Sequence, residues 1–165
     1  VLIIVAIDPA VKTGWVVRTQ NGEYLNGGTW MLRPSAGEGA GMITVRLRGY
    51  LHALLDAYRS SGEVIVAYEW MVGRHTSTAA AHLYGALSHA IMGLCEELNV
   101  AYLGVPVATV KRLATGRGNA KKTDMIAAAK VRWPEWRASG EDEVDARWIA
   151  EAAALTLIPA GSTTG

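Results

Sequence analysis

The chain begins with an unbroken apolar run rich in β-branched residues, Val1 to Ile7, that stops at Asp8 and Pro9. A run of that kind reads as a strand buried on both faces, where an acid at the exit costs free energy unless something offsets its charge. The next stretch, GWVVRTQNGEYLNGGTWML, reads as two strands around an Asn21-Gly22 hairpin turn. After the small, flexible RPSAGEGAG segment the period changes. Ile43, Leu47, Leu51, Leu54, Leu55 and Tyr58 recur on one side of a stretch from Met42 to Arg59, which predicts an amphipathic helix. EVIVAYEW is a further strand, and it too ends on an acid, Glu69. VGRHTSTA supplies a loop and a Ser/Thr-rich cap for a long helix running to about Leu98. VAYLGVP predicts a fifth strand, ATVKRLATGRGNA a short helix or loop, and KKTDMIAAAKVRW and EDEVDARWIAEAAALTLI two more helices. Three meandering strands followed by β-α units predict an α/β fold, a mixed five-stranded sheet with helices on it.

Composition narrows the class. With 165 residues, 17.6 kDa and 50% hydrophobic content, the chain fits one domain, expected over residues 1–158 with a flexible tail at 159–165. No run reaches the roughly 18 uninterrupted apolar residues of a membrane span, and the N-terminus lacks the features of a signal peptide, so a soluble, intracellular (cytoplasmic) protein is expected. Cys95 is the one cysteine and reads as a small buried apolar residue. His75, His82 and His89 recur every seven residues, which reads as a helical stripe, because ligands so spaced stand roughly 10 Å apart along the axis.

The net charge of +1 says nothing of partners, but its distribution does. Between positions 111 and 137 stand Lys111, Arg112, Arg117, Lys121, Lys122, Lys130, Arg132 and Arg137 against Asp124 and Glu135, a local excess of six positive charges. That is a footprint for a polyanion, or else a solvated helix face with a charged loop.

The acids carry the chemistry. If the strands ending on Asp8 and Glu69 are parallel neighbours, their C-terminal ends lie side by side, where open α/β sheets place their ligands. Asp142 and Asp145, three apart, share a face at the start of the final predicted helix, where Glu141 and Glu143 also stand. Taken singly, these are a turn residue or helix caps. Taken together in a cleft they repel one another unless a cation sits between them. Oxygen-only donors suit Mg²⁺ or Mn²⁺, and two such ions about 4 Å apart activate a water and stabilise the leaving oxygen of a phosphodiester.

The ordered set IDPAVKTGW, AYEW, VKRLATGRGNAKKTDM and DEVDARWIAEA resembles the RuvC-type Holliday-junction resolvases of the ribonuclease H-like superfamily, over residues 2 to 157. The resemblance implies a ribonuclease H-like fold with helices on both faces of the sheet. It implies Asp8, Glu69, Asp142 and Asp145 as metal-binding catalytic acids and Lys122 and Lys111 as basic groups near the scissile phosphate. Gly116, Gly118 and Ala120 match the segment between those lysines, and with Arg112, Arg117 and Lys121 the segment would bind DNA. It further implies two divalent ions, Mg²⁺ or Mn²⁺, and a two-fold homodimer formed through the long helix, whose Ala79, Ala80, Ala86, Ala90 and Gly93 permit close approach. The activity implied is structure-selective endonucleolytic cleavage of four-way and other branched DNA. Two departures stand out. Ala10 follows Pro9 where the family commonly has Gly, in a turn one residue shorter. The loop after Glu69 holds Val72 and Gly73 where the family tends to have an aromatic, and Trp70 reads as core.

Other classes fare worse. An actin-like kinase needs two such domains, and GRGNAKKT lacks the second glycine of a P-loop, since Ala120 precedes Lys121. A non-catalytic binder of branched DNA gains nothing from acids facing phosphates. A ribonuclease H-like nuclease acting on RNA or flapped DNA is the remaining rival, since the same acids serve it.

Overall fold

The computed structural model describes residues 1–71 and 76–158. Its strands are β1 (Leu2–Asp8), β2 (Lys12–Thr19), β3 (Tyr24–Met31), β4 (Glu63–Trp70) and β5 (Ala101–Pro106). Its helices are α1 (Met42–Arg59), α2 (Thr78–Leu98), α3 (Val107–Thr115), α4 (Lys122–Arg132) and α5 (Glu141–Thr156). The sheet order is β3-β2-β1-β4-β5, with β1 antiparallel to β2 and parallel to β4, and β5 parallel to β4. The β2–β3 hairpin turns at Gly22, whose φ of 107° lies in the left-handed region that glycine tolerates.

Strand alternation sorts the core into two layers. Ile3, Val5 and Ile7 face α1 and α2 and pack with Leu47, Leu51, Leu55, Leu87 and Ile91. Ile4 and Ala6 face the opposite way and pack with Val110, Met125, Ile149 and Ala150 of α3, α4 and α5. Helices therefore cover both faces. Alanines at 146, 150, 153 and 154 bring α5 close to the sheet centre. Its polar contacts are made within that layer: Arg18 of β2 pairs with Glu151, and the Arg147 guanidinium lies 4.0 Å from the Trp133 ring centre, 4.4 Å from Trp136 and 4.9 Å from Tyr24. Stacked in this way, a buried guanidinium is held by π faces as well as by acids.

Cys95 is buried, and burial pushes its thiol up to about 12, which makes it a poor nucleophile. His82 and His89 are exposed on α2, while His75, Val72, Gly73 and the expected tail at 159–165 lie outside the described residues. Trp70 corrects the expectation of a core residue. It does point away from the Glu69 face, edge-on to Tyr68 at 6.3 Å, but it stands at the open end of β4 and is 40% exposed. Among the described residues, no helix is long and apolar enough to cross a membrane.

One consequence for stability arises here. Gly49 is exposed in the interior of α1, and nothing lies within 4 Å of a Cβ added to it. Gly49→Ala is expected to stabilise the protein by about 0.5–1 kcal/mol through the lost backbone freedom of glycine, read as a rise in denaturation midpoint with unchanged m-value.

Candidate active site

The parallel register of β1 and β4 ends at Ile7 opposite Tyr68, so the next residue of each strand is an acid, Asp8 and Glu69. By alternation Asp8 follows Ile4 and Ala6, and Glu69 follows Ile65 and Ala67, onto the face covered by α3, α4 and α5. There they line a recess of about 260 Å³ together with Val110, Lys111, Lys122, Met125 and Asp145.

The turn after Asp8 is closed by side-chain and backbone bonds. Thr13 Oγ1 donates to the Ala10 carbonyl at 2.6 Å, and the Leu32 amide donates to Val11 at 2.8 Å. Ala10 is outside the left-handed region, so this shorter turn has no need of a glycine there. Gly14, paired with Asp8 across β1 and β2, has a different task. A Cβ at this position would overlap the Asp142 carbonyl and stand 2.9 Å from the Glu143 nitrogen. Bare backbone at Gly14 is what lets the first turn of α5 rest directly on β2. Gly27 on β3 plays a similar part, since its Cβ would come 2.6 Å from Glu143 Oε1 and 2.7 Å from the Tyr24 hydroxyl oxygen.

Glu143 itself is buried and does not enter the recess. Its carboxylate accepts from the Tyr24 hydroxyl at 2.7 Å and from the Ser139 amide at 2.6 Å, tying the start of α5 to β3. Burial and the neighbouring Glu143 push Tyr24 up to about 12, so it stays a donor. With α5 held in this way, Asp145 projects into the recess. Asp142 sits at its margin, 3.7 Å from Lys12 Nζ.

The electrostatics are those of crowded acids. Burial raises the Asp8 carboxyl well above its ordinary range, and Glu69, Asp145 and Asp142 raise it further against the opposing charge of Lys122. Glu69 is raised by burial and then by Asp145, while a hydrogen bond with Asp8 and the charges of Lys111 and Lys122 act the other way. Asp145 is also raised, chiefly by burial, against the pull of Lys122. Lys122 Nζ lies 3.3 Å from Asp145 Oδ2 and 3.8 Å from Glu141 Oε2. Burial acts to lower the Lys122 pKa, but the acids Asp145, Asp142 and Asp8 outweigh it and the ammonium is held charged.

This donor set, carboxylate oxygens alone, has the chemistry of a hard divalent cation site. Among the described residues no three acids or imidazoles already close around one point to hold an ion. Lys122 instead occupies the neighbourhood of Asp145 as the cation at hand. The set fits a metal in donor type and in mutual repulsion.

Of the basic residues singled out in the sequence, Lys111 and Lys122 line the recess, whereas Arg112, Arg117 and Lys121 are exposed outside it. Arg117 lies 3.3 Å from Asp124, whose carboxylate also accepts the Lys121 amide at 2.9 Å. Each direct phosphate contact releases counterions. Lys111→Ala and Lys122→Ala are each expected to weaken DNA binding and to flatten the log–log salt dependence by about one unit. Titrations across a salt series decide it, and unchanged slopes in both would return the segment to a solvated surface. Lys12 was not singled out in the sequence reading. Its signal lay in the β1–β2 hairpin: a cation just before Thr13-Gly14 must stand near whatever packs on Gly14.

No protein-family model matches the chain, and no curated protein does. Solved structures do. The RuvC of T. thermophilus in complex with a Holliday junction substrate superposes with a TM-score of 0.76 at 21% identity, covering 93% of each chain. Another structure of Thermus thermophilus RuvC gives 0.73 at 21%, covering 93% of this chain and 95% of that one. The yeast mitochondrial Holliday junction resolvase Ydc2 gives 0.57 at 13%, covering 92% and 77%. A central β1 with one antiparallel and one parallel neighbour, clasped between two helical layers, is thus the fold that this chain shares with the RuvC resolvases.

Proposed function

We propose that this protein is a divalent-metal-dependent endonuclease that hydrolyses phosphodiesters in branched DNA, four-way junctions first among them. What carries the reading is the recess in which Asp8, Glu69 and Asp145 crowd beside Lys111 and Lys122, on a fold shared with junction resolvases. Asp8, Glu69, Asp142 and Asp145 would hold the metal, Mg²⁺ or Mn²⁺, which supplies Lewis acidity at the scissile phosphate and a hydroxide-like nucleophile at neutral pH.

The chain's own groups do the rest. Lys122, whose ammonium lies 3.3 Å from Asp145, would offer its charge to an incoming phosphate oxygen. Lys111, across the recess beside Glu69, offsets charge on the same group. Asp8, at the base of the recess, would act as a ligand in its ionised form, which burial and the neighbouring acids disfavour and Lys122 favours. Lys12 holds Asp142 at the margin and adds positive charge where a DNA strand would enter. Exposed Arg112, Arg117 and Lys121 extend that charge along the strand's path.

The test is a set of end-labelled four-way, flap, Y-shaped and linear duplex DNAs plus an RNA–DNA hybrid, with Mg²⁺ or Mn²⁺ and an EDTA control. A two-fold homodimer presents two identical recesses to a two-fold substrate. The expected result is paired, symmetric nicks in strands of like polarity, with 5′-phosphate and 3′-hydroxyl ends that a ligase seals, and none in EDTA. Cutting confined to the hybrid would favour a ribonuclease. No cutting of any substrate with either metal would leave a DNA-binding module.

A further inference from the structure

A second cavity, of about 540 Å³, opens between α4 and the start of α5, lined by Ile126, Trp133, Pro134, Trp136 and Val144. Lys130 and Arg137 also border it, as does Glu141. We propose that this cavity is a nucleobase subsite, taking one unstacked base of the branched DNA while Lys130 and Arg137 receive its phosphate; the proposal rests on the nuclease reading above.

Three features argue for that occupant. First, the cavity adjoins the catalytic recess through Glu141, which lines the cavity and whose carboxylate stands 3.8 Å from Lys122 Nζ. A phosphate held at Lys122 would therefore stand one side chain away from the cavity. Second, the charge is net positive: two exposed cations, Lys130 and Arg137, stand against the one carboxylate of Glu141 around an aromatic and aliphatic wall. Arg137 is braced in place, its guanidinium donating to the Pro134 carbonyl at 2.7 Å and the Trp136 carbonyl at 3.3 Å. An apolar peptide would leave both charges unused. Third, Arg147 does not line the cavity but stacks on Trp133 and Trp136 at 4.0 and 4.4 Å. Its charge draws π density from both rings and favours stacking against an electron-rich base. Such an aromatic wall accepts a base only once that base has left its own stack, a condition met at a branch point and absent from continuous duplex.

The experiment uses the full chain in EDTA, so that binding is read without cleavage. Four-way junctions carrying a single abasic site at each position near the crossover are titrated against the parent protein and Ala138→Trp, which fills the cavity from its half-buried wall. If that variant fails to fold by circular dichroism, Ile126→Trp replaces it. One abasic position is expected to weaken parent binding by roughly fivefold or more and to leave the filled variant indifferent. Equal binding at every abasic position, or a filled variant that keeps the parent's sensitivity, overturns the subsite. So does a filled variant that differs from the parent only in losing self-association by sedimentation, since the cavity would then hold a second copy. Should the parent bind junctions no better than duplex, the nuclease reading fails on its own. The subsite is then judged by tryptophan fluorescence: quenching by a single-stranded oligonucleotide but not by its fully abasic counterpart, lost in the filled variant, sustains it, and its absence overturns it.

Discussion

Asp8→Asn is expected to abolish cleavage and at the same time to raise the melting temperature of the metal-free protein. The two effects have one cause. Asp8 stands buried at the base of the recess with burial, Glu69, Asp145 and Asp142 all raising its pKa, so on the metal-binding role proposed for it its charge would serve only beside a bound cation. If Asp8 holds a metal as proposed, its removal forfeits several kcal/mol of transition-state stabilisation, a loss in rate of about a thousandfold or more. The stability effect has a definite sign. A carboxyl whose pKa is raised on folding imposes no penalty below its unfolded value, where both states are protonated. As pH climbs from about 4 toward the raised folded value, the unfolded chain sheds its proton first and stability is lost. The metal-free parent should therefore melt lower at neutral than at mildly acidic pH, with Glu69 and Asp145 contributing in the same sense. Asparagine at position 8 removes its share of that slope, each kcal/mol recovered raising Tm by about 2–4 °C. Mg²⁺ should lift the Tm of the parent more than that of the variant. Melting curves across pH with and without Mg²⁺, beside a cleavage assay, test both halves, and a variant that cuts at the parent's rate removes Asp8 from the site.

Gly14→Ala is expected to be as damaging, although the residue carries no functional group. Its Cβ would overlap the Asp142 carbonyl, and the obstacle is main chain on both sides, which no rotamer change relieves. Either β2 or the first turn of α5 must move, and Asp142 and Asp145 move with the latter. Displacing catalytic groups by about 1 Å costs on the order of a hundredfold in rate. The expected result is loss of cleavage by at least that factor together with a fall in Tm, while exposed Lys121 and Arg112 still bind DNA. A crystal structure of the variant with α5 unmoved, or parent-like activity, would show that the close approach is dispensable.

How far the sequence carried these conclusions depends on the range of the interaction. Strands ending on Asp8 and Glu69 were legible because alternation and β-branching are local, and their shared face follows from period two once β1 and β4 are neighbours. The bounds of α1 and β4 were legible for the same reason, as uninterrupted periodicity between glycine- and serine-rich breaks. Trp70 misled because alternation gives the direction of a side chain but not whether anything lies above it at the end of a strand. Glu143 and Lys12 were not legible as structural partners. The bond from Tyr24 to Glu143 spans 119 positions, and Lys12 meets Asp142 only because β2 and α5 pack through Gly14. Contacts of that kind are decided by tertiary packing, of which a single sequence carries no periodic trace.

The place of α5 in the chain has a consequence for the protein's biogenesis. The recess draws Asp8 from β1 and Glu69 from β4, but Asp145 from α5, which follows every other described element and seats itself at the centre of the sheet. During synthesis on the ribosome the first two acids emerge well before α5, and the basic stretch around Lys122 just ahead of it, so of these parts the wall that completes the recess is made last. On the nuclease reading proposed above, a nascent chain would touch nucleic acid before it could cut it, and hydrolytic competence would arrive in one step when α5 docks.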